Sequence, residues 1–340
     1  ESKMKTMSEK PEEMPDNSTE RPLMTFALFA YNQEQYIREA LEGAFAQTYE
    51  PLEIILSDDS SSDRTFEIMK EMAATYEGPH EIHVRREAQN IGTLGHVRAV
   101  SKVAAGEIMI VAAGDDISLP ARTEKLVTLF TKPIVVAGSS NDLIIDESGK
   151  LLSIDEDRIV KRDNWHSTDV TWVHGAAAAY RVSFLRKLPE SDRKLLFEDQ
   201  IISDFMKGID CHSFRTKDRL IKYRYHTQNL SSRHEMNIDE AEAATMQRWQ
   251  RASEAKEYCA SALISLPSSR STTNEIVNKL RAEQQFLELM ARWPKINLID
   301  KVRLLRMALV RKQMRTVMIR LFGYSFFKLV RQSQRRKPSR

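Results

Sequence analysis

The feature that most constrains the fold is the regular alternation of short, mostly apolar runs with segments of helical periodicity. Runs of strand length lie at 24–30, 52–57, 81–87, 107–113 and 133–140. Between them, apolar residues recur every three or four positions, as one face of a helix requires. Strands that alternate with helices form βαβ units, and strands that are apolar throughout are typical of a parallel sheet covered on both faces. We therefore predict an α/β fold with a mostly parallel sheet flanked by helices.

Two pairs of adjacent aspartates follow two of the predicted strands. Asp58 and Asp59 end the run "LEIILSDD", and Asp115 and Asp116 end the run "EIMIVAAGDD". Neighbouring carboxylates repel each other, so each pair needs a positive partner. Ligands of such sheets bind beyond the carboxyl ends of the strands, and Mg²⁺ or Mn²⁺ takes carboxylate ligands together with substrate phosphates. The four acids favour a cation, a ribose or both. The alternative for the first pair is that it only starts a turn and caps the next helix.

Five segments carry a recognisable order of short motifs. They are "FALFAYNQEQYIREALEGAFAQTYEPLEIILSDDSSSDRT", "NIGTLGHVRAVSKVAAGEIMI", "AAGDDISLPAR", "LLFEDQIISDFMKGID" and "YRYHTQNLSS". In this order they resemble the motifs of family 2 glycosyltransferases, over roughly residues 23–235. The resemblance implies the GT-A fold of that family, a Rossmann-like nucleotide-sugar-binding domain. The motifs end well before the chain does, and the remaining sequence predicts an α-helical C-terminal extension to that domain.

The resemblance implies a role for each strand-end acid. Asp59, with Asp58 beside it, would contact the base and ribose of the nucleotide. Asp115 would lie against the ribose and diphosphate. Asp116, together with Asp115, would hold the Mg²⁺ or Mn²⁺ that bridges the diphosphate. The chain departs from the family pattern in three places, where it has Ser60 in the turn, Arg98 on the following helix and Ala113 before the second acid pair.

A third acid pair lies in "LLFEDQ". The resemblance implies that Asp199 is the general base, with Glu198 as the second candidate or as a residue that orients the acceptor. A carboxylate suits the deprotonation of an acceptor hydroxyl. Without the resemblance, the pair reads as two first-turn acids that the helix dipole favours.

The resemblance implies an inverting, hexosyltransferase-like glycosyltransferase. It would move a sugar from a nucleotide-diphosphate sugar to a glycan or lipid-linked acceptor, in cell-surface polysaccharide synthesis. A non-enzymatic alternative is a catalytically degenerate nucleotide-binding or scaffold protein with the same fold. Sugar-nucleotide synthesis is disfavoured because "FAYNQEQY" is not a glycine-rich, basic phosphate loop.

The last third of the chain, 236–340, predicts helices without strands. Its segment 295–340 holds fourteen Lys or Arg residues and a single acid, Asp300. An apolar stripe runs along this segment at Leu298, Val302, Leu305 and Leu309. A basic amphipathic helix indicates association with an anionic membrane surface. The alternative is a helix docked on the catalytic domain with a solvated basic tail. No nucleic-acid recognition motif accompanies the charge, so we expect no nucleic-acid partner.

The remaining features concern the compartment. Residues 1–22 are polar and predict a disordered leader, which leaves 23–235 as the glycosyltransferase domain. No run of about 18 apolar residues predicts a transmembrane helix. The two cysteines, Cys211 and Cys259, give no disulfide framework and suit a reducing cytosol. We therefore expect a cytoplasmic protein that is peripheral at the inner face of the cell membrane.

Overall fold

The computed structural model describes residues 21–152, 173–226, 238–266 and 271–310. Its strands are β1 (Met24–Ala30), β2 (Leu52–Asp58), β3 (Glu81–Arg86), β4 (Ile108–Ala113), β5 (Ile117–Ser118), β6 (Val135–Ile145), β7 (Ala178–Arg181) and β8 (His212–Arg224). Its helices are α1 (Ile37–Phe45), α2 (Thr65–Ala74), α3 (Gly92–Val103), α4 (Arg122–Val127), α5 (Val182–Leu185), α6 (Glu198–Gly208), α7 (Ile238–Ile264), α8 (Ser271–Ala291) and α9 (Leu298–Val310). Nearly all of the predicted leader and the chain beyond Val310 lie outside the described residues.

The strands form one sheet in the order β3-β2-β1-β4-β7-β6-β8-β5. Strands β1 to β4 are parallel to one another, and β6 is parallel to β8. Strand β7 runs antiparallel to both β4 and β6, and β5 runs antiparallel to β8. The predicted α/β architecture, with a largely parallel sheet flanked by helices, is confirmed. The antiparallel strands β5 and β7 are additions that the sequence did not indicate.

Strands β1, β2 and β4 are mostly apolar because each of their faces meets its own hydrophobic cluster. On β1, Phe26 and Leu28 pack into one cluster, while Ala27 points into the other. The parallel register sets Ala30 beside Asp58 and Phe29 beside Ala113. The carboxyl ends of the three central strands therefore open at one edge of the sheet, where both strand-end acid pairs begin.

The C-terminal helices α7 and α8 pack onto this framework, as the sequence predicts for its last third. Cys259 and Leu263 of α7 belong to the same hydrophobic cluster as Ala27 of β1. The buried Lys256 ammonium of α7 lies 2.5 Å from an Asp204 oxygen of α6 and 3.0 Å from a Glu283 oxygen of α8. The helical region therefore shares its core with the sheet and is tied to helix α6.

Helix α9 has one buried and one exposed apolar face. Leu304 and Ala308 are buried in a small cluster with two α8 side chains. Of the predicted stripe, Leu305 packs partly against this cluster, whereas the other three members are exposed. Their exposed fractions are 76% for Leu298, 43% for Val302 and 69% for Leu309, and the neighbouring Ile299 is 79% exposed. Within the described ranges, no helix has the length and apolarity needed to cross a membrane.

Candidate active site

A large cavity of about 2010 Å³ lies at the carboxyl ends of the central strands. Its wall includes five of the six acids that the sequence singles out, namely Asp59, Asp115, Asp116, Glu198 and Asp199. These residues come from the ends of β2 and β4 and from the first turn of α6. The structure thus brings together side chains that are up to 140 positions apart in the chain.

The sixth acid, Asp58, does not line the cavity. It is fully buried, and one carboxylate oxygen accepts a hydrogen bond from the Ser61 backbone N–H at 2.9 Å and lies 3.2 Å from Arg86 Nε. Asp58 therefore shapes the turn beneath the site. Ser60, which stands where the family has glycine, adopts a φ of 65°. This left-handed conformation explains the usual glycine.

Asp59 lines the cavity with its carboxylate tied to helix α3. Its oxygens accept hydrogen bonds from the backbone N–H groups of Ile91 and Gly92, at 2.8 and 3.1 Å. Burial nevertheless raises the pKa of Asp59 to about 6. The residue therefore joins the end of β2 to the start of α3, and presents an acidic group to the cavity.

The Asp115–Asp116 pair at the end of β4 is held by hydrogen bonds from Arg224 of β8, and the positive charge that acts on Asp116 is that of Arg122. The Arg224 backbone N–H donates to an Asp116 oxygen at 2.8 Å, and its Nε donates to the Asp115 carbonyl at 2.9 Å. The Asp115 carboxylate lies 3.0 Å from the His226 imidazole. Burial, followed by the Asp115 charge, raises the pKa of Asp116 well above its usual value. The chain's own groups therefore offset the repulsion within the pair only in part.

One atom of this pair fits a bound cation. Asp116 Oδ2 is buried and accepts no hydrogen bond, and buried polar atoms normally have a partner. In the described part of the chain, no three His, Cys, Asp or Glu side chains are arranged to hold a metal on their own. A cation at Asp115 and Asp116 would therefore take further ligands from phosphate oxygens and water, as Mg²⁺ commonly does. The His226 imidazole would orient the Asp115 carboxylate.

Glu198 and Asp199 begin α6 after a strained residue. Phe197 adopts a φ of 63°, which is rare for a side chain of this size. The Asp199 carboxylate receives hydrogen bonds from the backbone N–H groups of Gln200 and Gly175. Burial, with the neighbouring Glu198 charge, raises the pKa of Asp199 to about 7, and burial raises the pKa of Glu198 as well. A carboxylate with such a pKa is suited to accept a proton near neutral pH.

The 3-10 turn Gly175–Ala177 lies directly against this acid pair. A Cβ atom on Gly175 would lie 2.5 Å from Glu198 Oε1 and 3.4 Å from the Asp199 Cβ. A side chain at Gly175 would therefore displace the Glu198 carboxylate from its place against the turn. The turn leads into β7, so the central sheet fixes the position of the pair.

Arg122 supports the site from behind and was missed in the sequence. Its fully buried guanidinium donates to the carbonyl oxygens of Val111, at 2.5 Å, and Ala176, at 2.8 Å. It thus joins β4, which carries the Asp115–Asp116 pair, to the turn beneath Asp199. Burial lowers the pKa of Arg122 to about 9. The local sequence "LPARTEKL" gives no signal for this role, because an arginine in the first turns of a helix is usually solvated.

Comparison with known proteins identifies the fold and relates one part of the chain to a family. Residues 25–189 match the family described as Glycosyl transferase family 2. These residues form a family 2 glycosyltransferase domain. The chain is similar to an uncharacterized glycosyltransferase of Haemophilus influenzae, with 31% identity over 128 residues, 37% of this chain and 39% of the relative. It is also similar to the putative glycosyltransferase EpsE of Bacillus subtilis, with 32% identity over 130 residues, 38% of this chain and 46% of the relative.

The chain is also similar to an uncharacterized protein of Mycobacterium tuberculosis, with 42% identity over 94 residues, 27% of each chain. The aligned segments span less than half of the length of these three relatives.

Solved glycosyltransferase structures have the same fold over most of the chain. The mannosyltransferase PcManGT from Pyrobaculum calidifontis, in complex with GDP-Man and Mn²⁺, has a TM-score of 0.56 and 16% identity, and covers 89% of this chain and 86% of its own. S. aureus TarS residues 1–349, in complex with UDP-GlcNAc, has a TM-score of 0.53 and 14% identity, with coverages of 84% and 79%. At these identities the likeness establishes the fold alone, and the predicted GT-A fold is confirmed.

Proposed function

We propose that the protein transfers a sugar from a nucleoside-diphosphate sugar to a hydroxyl group of a glycan or lipid-linked acceptor, with inversion at the anomeric carbon. The observation that carries this proposal is the single cavity that holds Asp59, the Asp115–Asp116 pair and Asp199. A cavity of this size has room for a donor and an acceptor at the same time. The cell-surface polysaccharide as product rests on the resemblance to the family.

The donor end of the cavity is formed by β1, β2 and β4. Asp59 faces the nucleotide, while Asp58 keeps the turn beneath it in shape. Asp115 and Asp116 hold a divalent cation, Mg²⁺ or Mn²⁺, with His226 behind Asp115. When bound, such a cation neutralises charge on the diphosphate leaving group. PcManGT with GDP-Man and Mn²⁺ has the same fold, which supports this assignment.

The transfer step is assigned to Asp199. Its carboxylate takes the proton of the acceptor hydroxyl as the acceptor oxygen forms its bond to the anomeric carbon. The bond from that carbon to the diphosphate breaks, and the nucleoside diphosphate leaves with the electron pair. Glu198 orients the acceptor or, as the second candidate, takes the proton itself. The raised pKa of Asp199 supports the assignment because it makes the carboxylate a stronger base.

A degenerate, non-catalytic nucleotide-binding protein is the competing function. Both functions predict that nucleoside diphosphates with Mn²⁺ raise the melting temperature, because a ligand of the native state stabilises it. Release of nucleoside diphosphate from a donor sugar in the presence of acceptor separates them. Transfer that disappears in Asp199→Asn while nucleotide binding persists supports the enzyme. Binding with no turnover for any donor and acceptor pair would establish the scaffold function.

We further propose that the protein works at the inner face of a membrane, as a cytoplasmic, peripheral protein. Leu298, Ile299 and Leu309 expose an apolar face on α9, and the surrounding sequence is strongly basic. Apolar contact and basic charge together favour an anionic bilayer. Replacing these three exposed residues with serine leaves the core intact. It should abolish flotation with anionic vesicles, whereas equal flotation of both proteins would refute the role of α9.

A further inference from the structure

Helix α7 places two arginines on the wall of the cavity, next to the proposed base. Arg248 and Arg251 are three residues apart, so they share a face of the helix, and both line the cavity. The Arg248 guanidinium carbon lies 5.7 Å from the centre of the Phe197 ring. Phe197 immediately precedes Glu198 and Asp199. The two cations therefore stand at the end of the cavity where an acceptor hydroxyl must meet its base.

The two arginines contact no carboxylate in the part of the chain that the structure describes. Among the residues that the structure describes, neither guanidinium forms an ion pair, whereas Lys256 and Arg193, which hold the same helix in place, each contact a carboxylate at 2.5 Å. Glu254, one turn further along α7, also lines the cavity, and its carboxylate accepts a hydrogen bond from the Gln250 amide. The two arginines form a local patch of positive charge on a cavity wall that also carries many acids, and such a patch attracts an anion.

The position of the pair is rigid relative to the base. The buried contact between Lys256 of α7 and Asp204 of α6 ties the two helices together, and α6 begins with the acid pair. Side chains three residues apart have Cβ atoms about 5–6 Å from each other, so both guanidinium groups can reach one small anion. A guanidinium fork binds a phosphate or carboxylate through two parallel hydrogen bonds.

We infer that Arg248 and Arg251 form an anion subsite that binds a phosphate or carboxylate group of the acceptor. The inference rests on the proposed function, since it places the acceptor at Asp199. The donor diphosphate belongs elsewhere, at Asp115 at the end of β4. The acceptor is accordingly an anionic compound, either a glycan joined to its lipid through phosphate or a glycan with an acidic sugar.

Three probes with the same sugar and the same alkyl chain test the subsite: hexyl glucoside, hexyl glucuronide and glucose 1-(hexyl phosphate). Their binding to the full chain is measured by saturation-transfer NMR titration, with diamagnetic Mg²⁺ and the nucleoside diphosphate that gives the largest thermal shift. The anionic probes should bind at least about tenfold more tightly than the neutral one, because charge-assisted hydrogen bonds contribute strongly. A preference for the phosphate or for the glucuronide alone identifies which source supplies the anion.

The double variant Arg248→Ala/Arg251→Ala should lose the preference and keep its affinity for the nucleoside diphosphate. Arg281→Ala is the matched control, because it removes an exposed arginine from the adjacent helix α8. Equal binding of all three probes to the unmodified protein would overturn the inference, as would a preference that survives in the double variant. A fall of about tenfold in nucleoside-diphosphate affinity would assign the arginines to the donor and overturn it as well.

These outcomes are distinct from failure of the proposed function. If no nucleoside diphosphate binds, the donor site is wrong, and the probes are then measured with the protein alone. A preference for anionic probes that depends on the two arginines would still establish the subsite.

Discussion

Replacing Asp199 with asparagine should stabilise the protein while it removes transfer activity. Burial and the Glu198 charge raise the pKa of Asp199 from 3.8 to about 7. A carboxyl group can have a higher pKa in the folded state than in the unfolded state. Such a group begins to destabilise the native protein when the pH exceeds its pKa in the unfolded state. The destabilisation is complete when the pH exceeds its pKa in the folded state. Asparagine carries no charge, so the variant is free of this effect.

The size of the effect follows from the two pKa values. At about 1.36 kcal/mol for each pKa unit, a rise from 3.8 to about 7 corresponds to roughly 4 kcal/mol at pH 8. We therefore expect the variant to gain about 2–4 kcal/mol in its free energy of unfolding at pH 8, and about 2 kcal/mol less at pH 5. Transfer should fall at least about a hundredfold, because the base is lost.

Urea unfolding of the two proteins at pH 5 and pH 8 measures the stability difference, and nucleoside-diphosphate release measures transfer. Asp210→Asn is a suitable control, because Asp210 is an exposed aspartate just after the same helix, with a φ of 58° that asparagine tolerates. A variant that is no more stable than the unmodified protein at pH 8 would refute the burial argument. A variant that is more stable but fully active would show that the base lies elsewhere.

Four further outcomes test the site. The rate of transfer should rise with pH through a midpoint near 7, as Asp199 loses its proton; a flat profile from pH 5 to 9 would exclude it as the base. Ser60→Gly should stabilise the protein by about 0.5–1 kcal/mol in urea unfolding, because glycine removes the left-handed strain; a loss of stability would contradict this. Gly175→Ala should lower kcat about 10–100-fold by displacing Glu198, with nucleotide affinity unchanged in calorimetry; unchanged kcat would show that the turn has room. His226→Ala should weaken Mn²⁺-dependent nucleotide binding about 10–100-fold but leave binding in EDTA unaltered; an equal loss in both would indicate a structural role.

The central sheet could be predicted from the sequence because its strands are buried on both faces. Strands β1, β2 and β4 appear as continuous apolar runs, and their observed bounds differ from the predicted ones by one residue at most. Strand β8 has the sequence "HSFRTKDRLIKYR", in which charged residues interrupt every apolar run. Its pairing with β6 and β5 depends on long-range contacts, so no local pattern could reveal it.

The acids of the site could be identified from the sequence, but their hydrogen-bond partners and burial could not. Both strand-end pairs follow buried strands, which placed them at one edge of the sheet. The sequence could not distinguish Asp58, which is enclosed in its turn, from Asp59, which faces the cavity. It also could not identify Arg224 as the partner of Asp116, because that contact joins residues 108 positions apart. Such contacts form only when the two halves of the sheet meet.

The shared core of the sheet and the C-terminal helices limits how this protein can be redesigned. A chimera that exchanges only α7 and α8 for the helices of a relative would remove Cys259 and Leu263. The sheet residues of the shared cluster would then lose the side chains against which they pack. The chimera would also separate Asp204 from Lys256 and leave the half-exposed Lys207 of the same helix as the remaining cation beside this buried carboxylate. Helix α6 must therefore be transplanted together with α7 and α8. Helix α6 also carries Asp199, the proposed base, and α7 carries the proposed acceptor subsite. A transplant of these helices would therefore transfer the base and the acceptor subsite together.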